Sequence, residues 1–215
     1  ADGARVIAEH DARFRRCVEI HGGHEQNNPG DGFFATFPVP SSALRCALAF
    51  LAELADLPLQ VRIGMHVGET THVPGTQDTV KLLGLAVDTA GRVMSLALPN
   101  QILVTRHALD SARQQVRADP HGAPVVWRNH GAYRFKGLEE PIEIHEAGIE
   151  GTAPLSPPMD SAKATRIESR ATEESASRGR LAPFGAASSA RTTNLGSGDR
   201  IDGLHVEKRL GEGAY

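Results

Sequence analysis

The sequence predicts an α/β or α+β domain over residues 1–149, a mixed sheet with helices packed on it. Three observations predict it. Apolar residues recur at helical spacing in 3–20, 41–56 and 82–98. Residues 59–69 alternate apolar and polar with period two, and shorter apolar runs stand at 33–37, 101–105, 125–135 and 141–148. From residue 150 the chain changes to Ser, Ala, Thr, Pro, Gly and Arg, with sparse and aperiodic large apolar residues.

The first helix carries Val6, Ile7, Phe14, Cys17, Val18 and Ile20 between Arg and Glu residues, and Gly22-Gly23 stops it. A short segment, 24–28, leads to Gly30-Asp31-Gly32, a tight turn feeding the strand 33–37. Asp-Gly is an ordinary hairpin turn. A carboxylate between two glycines is also one that a metal or phosphate can approach closely. Pro38 to Ser42 opens the second helix, rich in Ala and Leu. The alternation of 59–69 marks a strand with one buried face, and Gly75 marks a turn. The helix 82–98 has Leu83, Val87, Ala90, Val93 and Met94 on its apolar side. A strand at 101–105, a short helix at 106–115 and two strands at 125–135 and 141–148 complete the domain. The last two are joined by Lys136-Gly137-Leu138-Glu139-Glu140-Pro141. Residues 150–199 are expected to be a flexible linker. Residues 200–215 regain apolar spacing at Ile201, Leu204, Val206 and Leu210 before Gly211-Glu212-Gly213-Ala214-Tyr215, the pattern of a strand running into a glycine-rich turn.

Composition narrows the functions. The 215 residues carry a net charge of −3 and 5% aromatic residues, which disfavours a nucleic-acid partner. No apolar run is long enough to span a bilayer, and the N-terminus lacks a signal-peptide pattern. Two cysteines, Cys17 and Cys46, both in helical patterns, make the reducing cytoplasm the expected compartment. Ten histidines include His10, His21 and His24, but no metal-ligand spacing joins them. No Gly-x-Gly-x-x-Gly follows a first strand, which disfavours a Rossmann domain.

Six blocks stand in order along the first domain: Ala8-Glu9-His10-Asp11, His21-Gly22-Gly23, Gly30-Asp31-Gly32-Phe33-Phe34, the run 61–69 with Arg62-Ile63-Gly64-Met65-His66, the run 84–94 with Asp88 and Arg92, and Phe135-Lys136-Gly137-Leu138 followed by Glu140-Pro141. Together they resemble the catalytic domain of class III adenylate and guanylate cyclases. The resemblance implies an α+β sandwich with a ferredoxin-like mixed sheet and flanking helices, here lacking its first strand. It also implies a homodimer with ATP or GTP as substrate and two divalent cations, Mg²⁺ or Mn²⁺. Asp31, flanked by Gly30 and Gly32, matches the second metal-holding aspartate. The first belongs to a strand ahead of the first helix, so the fragment is expected to be inactive alone. Arg92 matches the arginine that stabilises charge developing on the phosphate. Asp88 stands where the family usually has a ribose-orienting asparagine. Four residues apart on a helix, Asp88 and Arg92 share a face, and a plain ion pair is the structural alternative. Asn27 occupies the position of the purine-selecting lysine and Lys81 that of its partner, so both base contacts are altered. Two readings remain open: a divergent active cyclase, or a degenerate cyclase-like domain kept for dimerisation or sensing.

The C-terminal stretch resembles the start of a bacterial-type serine/threonine kinase domain, with Gly211 and Gly213 in its ATP-covering loop. The resemblance implies a cyclase-like domain at 1–149, a linker at 150–199 and the beginning of a kinase domain at 200–215.

Overall fold

Helix α1 (Asp2–Ile20) ends because Gly22 takes φ +68°, the left-handed conformation that costs glycine nothing. Gly23 N–H then reaches Val18 O at 2.8 Å and Gly22 N–H reaches Glu19 O at 3.0 Å, which satisfies two carbonyls of the last turn. The chain returns through β1 (His24–Gln26) and β2 (Phe34–Thr36), an antiparallel pair with Gln26 opposite Phe34. The structure, a computed structural model, describes residues 2–26, 32–74 and 80–167, and the backbone of 200–201 and 204–205. Asn27, Gly30, Asp31, Gly211 and Gly213 lie outside the described residues.

Helix α2 (Pro40–Glu53) starts with proline at its first turn, where the missing N–H has no intrahelical partner to lose. It packs on α1 through Cys17, Val18, Cys46, Phe50 and Leu54. Phe14 stacks on Phe33 with ring centroids 4.4 Å apart. Arg13 binds Asp56 and the carbonyl of Glu53, tying α1 to the end of α2. Both cysteines are free, and burial pushes the Cys46 thiol up to about 12.

Five strands form the main sheet in the order β3-β6-β8-β7-β9: β3 (Arg62–Met65), β6 (Gln101–Thr105), β8 (Ile142–Ile149), β7 (Val125–Phe135) and β9 (Ala164–Arg166). β3 and β6 are parallel, and the other pairs are antiparallel, so the sheet is mixed and the domain α+β as expected. β6 is buried along its whole length. Ile102 and Val104 join Leu44, Leu48, Met65 and Leu109 in one core, which brings α2 and α4 (Arg106–Ala112) together. Leu103 joins Val93, Tyr133, Phe135 and Ile144 in the other, which brings in α3 (Leu85–Leu96). Period-two alternation thus gives β6 a helix layer on each face. Each fully buried aliphatic side chain contributes about 1.5–3 kcal/mol.

Four expectations are corrected. The strand expected over 59–69 spans only 62–65, because 66–70 leave the sheet on the way to β4 (Thr71–Pro74). The helix expected from 82 starts at Leu85. Residues 80–83 are instead β5 (Val80–Leu83), paired antiparallel with β4 so that Lys81 faces Val73 in register. Residues 150–167, expected to open the linker, belong instead to the first compact unit, and the rest of the expected linker lies outside the described residues. The last segment of that unit is held mainly by polar bonds, which leave no apolar period to read. The second unit, 171–215, contains β10 (Arg200–Ile201) paired antiparallel with β11 (Leu204–His205), where a single strand was expected.

One buried network holds that last segment. Glu146 and Gln101 are 0% exposed and His130 3%. The Glu146 carboxylate accepts from Gln101 Nε2 at 2.6 Å, His130 Nε2 at 2.7 Å and Leu155 N–H at 2.8 Å. Gln101 Nε2 also donates to Ser156 O, and Tyr133 Oη donates to Pro158 O at 2.9 Å.

Glu146→Ala would orphan the buried His130 Nε2 and the partly buried Leu155 amide and leave Gln101 Nε2 only Ser156 O, and we expect it to cost about 2–4 kcal/mol in urea unfolding. A loss below about 1 kcal/mol would show the network to be incidental. Gly64 allows no Cβ, since one would lie 2.2 Å from Met94 N and 2.6 Å from Ala90 O, both backbone atoms of α3. Gly64→Ala should therefore lower stability by about 1–3 kcal/mol, read as a depressed melting temperature.

Candidate functional site

A groove of about 1380 Å³ lies between the β1–β2 hairpin and β3, floored by α1 and α2 and continuing along α3. Among the described residues β2 pairs only with β1, and β3 only with β6, so each leaves one edge unpaired. Phe33, Phe34, Phe37, Ile63 and Met65 give the groove an apolar body. Asp88, Arg92, Lys136 and Lys163 are among the polar residues that line it, and Arg92, Lys136 and Lys163 come together where α3 meets the turn after β7.

Gly64 accounts for the placing of Asp88 and Arg92. With no side chain on that strand residue, α3 approaches β3 backbone to backbone. Helical spacing then sets Asp88 and Arg92 along the groove, with Asp88 exposed and Arg92 half-buried. The two do not pair. Arg92 Nη1 donates to Lys136 O, on the turn after β7, and a Cβ at Gly137 would lie 3.4 Å from Arg92 Nη2. The plain helix ion pair is therefore not what this arginine forms. Among the described residues no partner pairs with the Asp88 carboxylate, which stands on the groove wall in the first turn of α3.

Lys136 and Lys163 were not singled out from the sequence as site residues. Lys136 stood within one of the quoted blocks, so a signal for it existed. Lys163 had none, because it sits in the low-complexity stretch. Backbone pairing unites them: Lys136 N–H donates to Lys163 O at 2.9 Å. Three cations facing one groove end suit a polyanion such as a polyphosphate.

His66 also lines the groove. Its Nδ1 meets Thr105 Oγ1 at 3.0 Å, and burial, aided by the charge of His107, lowers its pKa. Thr89 Oγ1 donates back to Leu85 O at 2.7 Å and so anchors the first turn of α3. Among the described residues no group of three or more His, Cys, Asp or Glu is gathered to hold a metal ion. Nor is any helix among them long and apolar enough to cross a membrane. Asn27, Gly30 and Asp31 lie outside the described residues, Lys81 is placed by its backbone on β5, and Gly32 lines the groove beside Phe33.

No protein-family model matches the chain. An adenylate cyclase of Lachancea kluyveri is 28% identical over 126 residues, an alignment covering 46% of this chain and only 7% of that protein. Among solved structures, an adenylate/guanylate cyclase/hydrolase from Silicibacter pomeroyi superposes with TM-score 0.52 at 23% identity, covering 64% of this chain and 79% of the other. An adenylate cyclase from Trypanosoma brucei, in its monomeric state, gives 0.58 at 14% identity, with coverages of 75% and 82%. The guanylate cyclase domain of RhGC from Catenaria anguillulae, in complex with GTP, gives 0.53 at 16%, with coverages of 67% and 82%. The mixed sheet with its flanking helices is the class III cyclase fold.

Burial lowers the pKa of both His66 and His145 from the ordinary value. The unfolded chain therefore takes up these protons first as pH falls. Stability should be level above about pH 7 and decline as pH drops through about 6.5 toward the folded values. Replacing both with glutamine should flatten the unfolding midpoint across this window, and an unchanged slope would assign the titration to other groups.

Proposed function

We propose that this chain is a nucleotide cyclase domain that takes ATP or GTP to the cyclic 3′,5′-monophosphate and pyrophosphate. The observation that carries the reading is the groove end. In a class III cyclase fold, Asp88 and Arg92 of α3, Lys136 of the β7–β8 turn and Lys163 just before β9 all line it. In the proposed reaction the ribose 3′-oxygen attacks the α-phosphorus, and the bond from that phosphorus to the bridging oxygen breaks as pyrophosphate leaves.

Arg92, held at Lys136 O by one N–H, would turn its remaining donors to the α-phosphate, where its fixed planar charge opposes the charge that builds in the transition state. Lys136, exposed on the turn, would meet the leaving phosphates. Asp88 would accept from a ribose hydroxyl. Asp31 would hold a divalent cation, Mg²⁺ or Mn²⁺, whose role is to neutralise phosphate charge and lower the pKa of the attacking hydroxyl. Asn27 and Lys81 would stand at the base. Lysine donates only, so Lys81 suits a carbonyl of the purine better than an amino group. The apolar groove with two unpaired strand edges among the described residues fits a further strand, where the resemblance puts the first of the two metal-holding aspartates. Val67, 42% exposed, and Leu85, 67% exposed, would be covered in a homodimer. Free, buried Cys17 and Cys46 fit a cytoplasmic setting.

A second reading rests on two observations. Arg92 is docked on a backbone carbonyl, and Lys81 and Asp88 depart in charge from the cyclase pattern. On that reading the domain is a non-catalytic dimerisation or sensing module, regulating a kinase domain that would begin near residue 200 with Gly211 and Gly213 in its ATP loop.

The intact protein, supplied with ATP or GTP and Mn²⁺, should yield cyclic nucleotide detectable by chromatography. Asp31→Ala should abolish product. Arg92→Ala should lower kcat about 10²–10³-fold with a smaller change in KM. A folded dimer that turns over neither nucleotide would reject the catalytic reading in favour of the second.

A further inference from the structure

Residues 151–167 run from the end of β8 to the groove, which Ser161, Lys163 and Ala164 line, and hydrogen bonds fasten them along the way. Ala153 N–H donates to Ile149 O at 2.9 Å, in the turn that ends β8. Leu155 and Ser156 are clasped by Glu146 and Gln101, and Pro158 is held by Tyr133. Asp160 Oδ1 accepts from Arg166 N–H at 2.7 Å, and Ser161 Oγ accepts from the amides of Lys163 and Ala164. These local bonds fold the segment into a turn that presents β9 to the free edge of β7. Ala164 then pairs with Phe135, Thr165 with Arg134 and Arg166 with Tyr133.

The last link matters for chemistry. Lys136 is gripped through both of its peptide groups: its N–H, in the peptide with Phe135, donates to Lys163 O, and its C=O, in the next peptide with Gly137, accepts from Arg92. Arg92 lines the groove from α3, and this carbonyl is its hydrogen-bond acceptor among the described residues. No bond joins it to Asp88 on its own helix, and its hold is therefore on the β7–β8 turn.

We infer that the segment 153–166 is a positioning strap for Arg92: β9, seated on β7, fixes the backbone of Lys136 through its N–H, and the carbonyl of that same residue sets where the Arg92 guanidinium stands in the groove. Lys163 and Ser161 are positioning residues here, acting through Lys136. Releasing β9 frees the Lys136 backbone, and Arg92 loses its fixed acceptor. The inference takes the importance of Arg92 for phosphate chemistry from the function proposed above, but the positioning itself stands on the bond path alone.

Two arms test it. In the ¹⁵N-labelled 215-residue chain, the guanidinium signals of Arg92, identified by their loss in Arg92→Lys, should show restricted rotation. Thr165→Pro removes a strand N–H at an exposed site in β9, opposite Arg134. It should abolish exchange protection of the Lys136 amide and let Arg92 rotate freely. Ser161→Ala, which removes only a hydroxyl, should move both readouts the same way to a smaller extent. Arg92 unchanged in both variants overturns the inference. In the intact protein, Thr165→Pro should lower kcat about 10–100-fold with KM nearly constant, and add nothing in an Arg92→Ala background. Losses that multiply across the two substitutions also overturn it. Absence of product from the unaltered protein would instead reject the cyclase reading, and the guanidinium signals would still decide the strap.

Discussion

Helix α3 lies with the backbone of Ala90 and Met94 against Gly64, and much of the groove follows from that approach. A side chain at 64 would push the helix off β3 and turn Asp88 and Arg92 away from the wall they now line. The same contact lets Val93 reach the core with Leu103, Tyr133 and Ile144, so the site-bearing helix is also a load on the sheet. Placing functional side chains on a helix pinned this closely limits how far they can drift, which is what a site acting through fixed charges requires.

The second constraint is electrostatic. A carboxylate buried as fully as that of Glu146 is costly unless its oxygens are matched, and here three donors match them. Two of the donors come from the sheet and one from the segment after β8. The network therefore does what an apolar contact would do elsewhere: it commits a chain stretch poor in large apolar residues to one course. That course ends at β9, which covers the outer edge of β7 and reaches the groove. The cores of the sheet and the polar path of the strap meet at Phe135 and Lys136, one buried in the core and the next exposed at the groove.

Some of this was legible in the chain. Helical spacing located α1, α2 and α3 to within a few residues, because each buries one stripe. The strands β6, β7 and β8 were legible as apolar runs bounded by turn residues. The β4–β5 pair was not, since 71–83 carry neither clear alternation nor a strong apolar run, and the helix pattern of 82–98 absorbed its second strand. The strap escaped for a related reason. Its anchors are backbone amides, a tyrosine hydroxyl and a buried carboxylate, none of which leaves a period. Asp88 and Arg92 were placed on one helix face by spacing alone. That Arg92 would bind Lys136 O rather than Asp88 depends on where the β7–β8 turn falls, 44 residues further on.

The sequence by itself determined the fold class, the order of the main elements and the helix that bears the candidate site, because periodicity records which face of each element is buried. Only the tertiary structure decided that residues 151–167 belong to the domain, that Lys136 and Lys163 stand beside Arg92, and that β2 and β3 face a shared groove. Those are relations between elements distant along the chain. Hydrogen bonds and close backbone approaches set them, and such contacts leave no local pattern in the residues that make them.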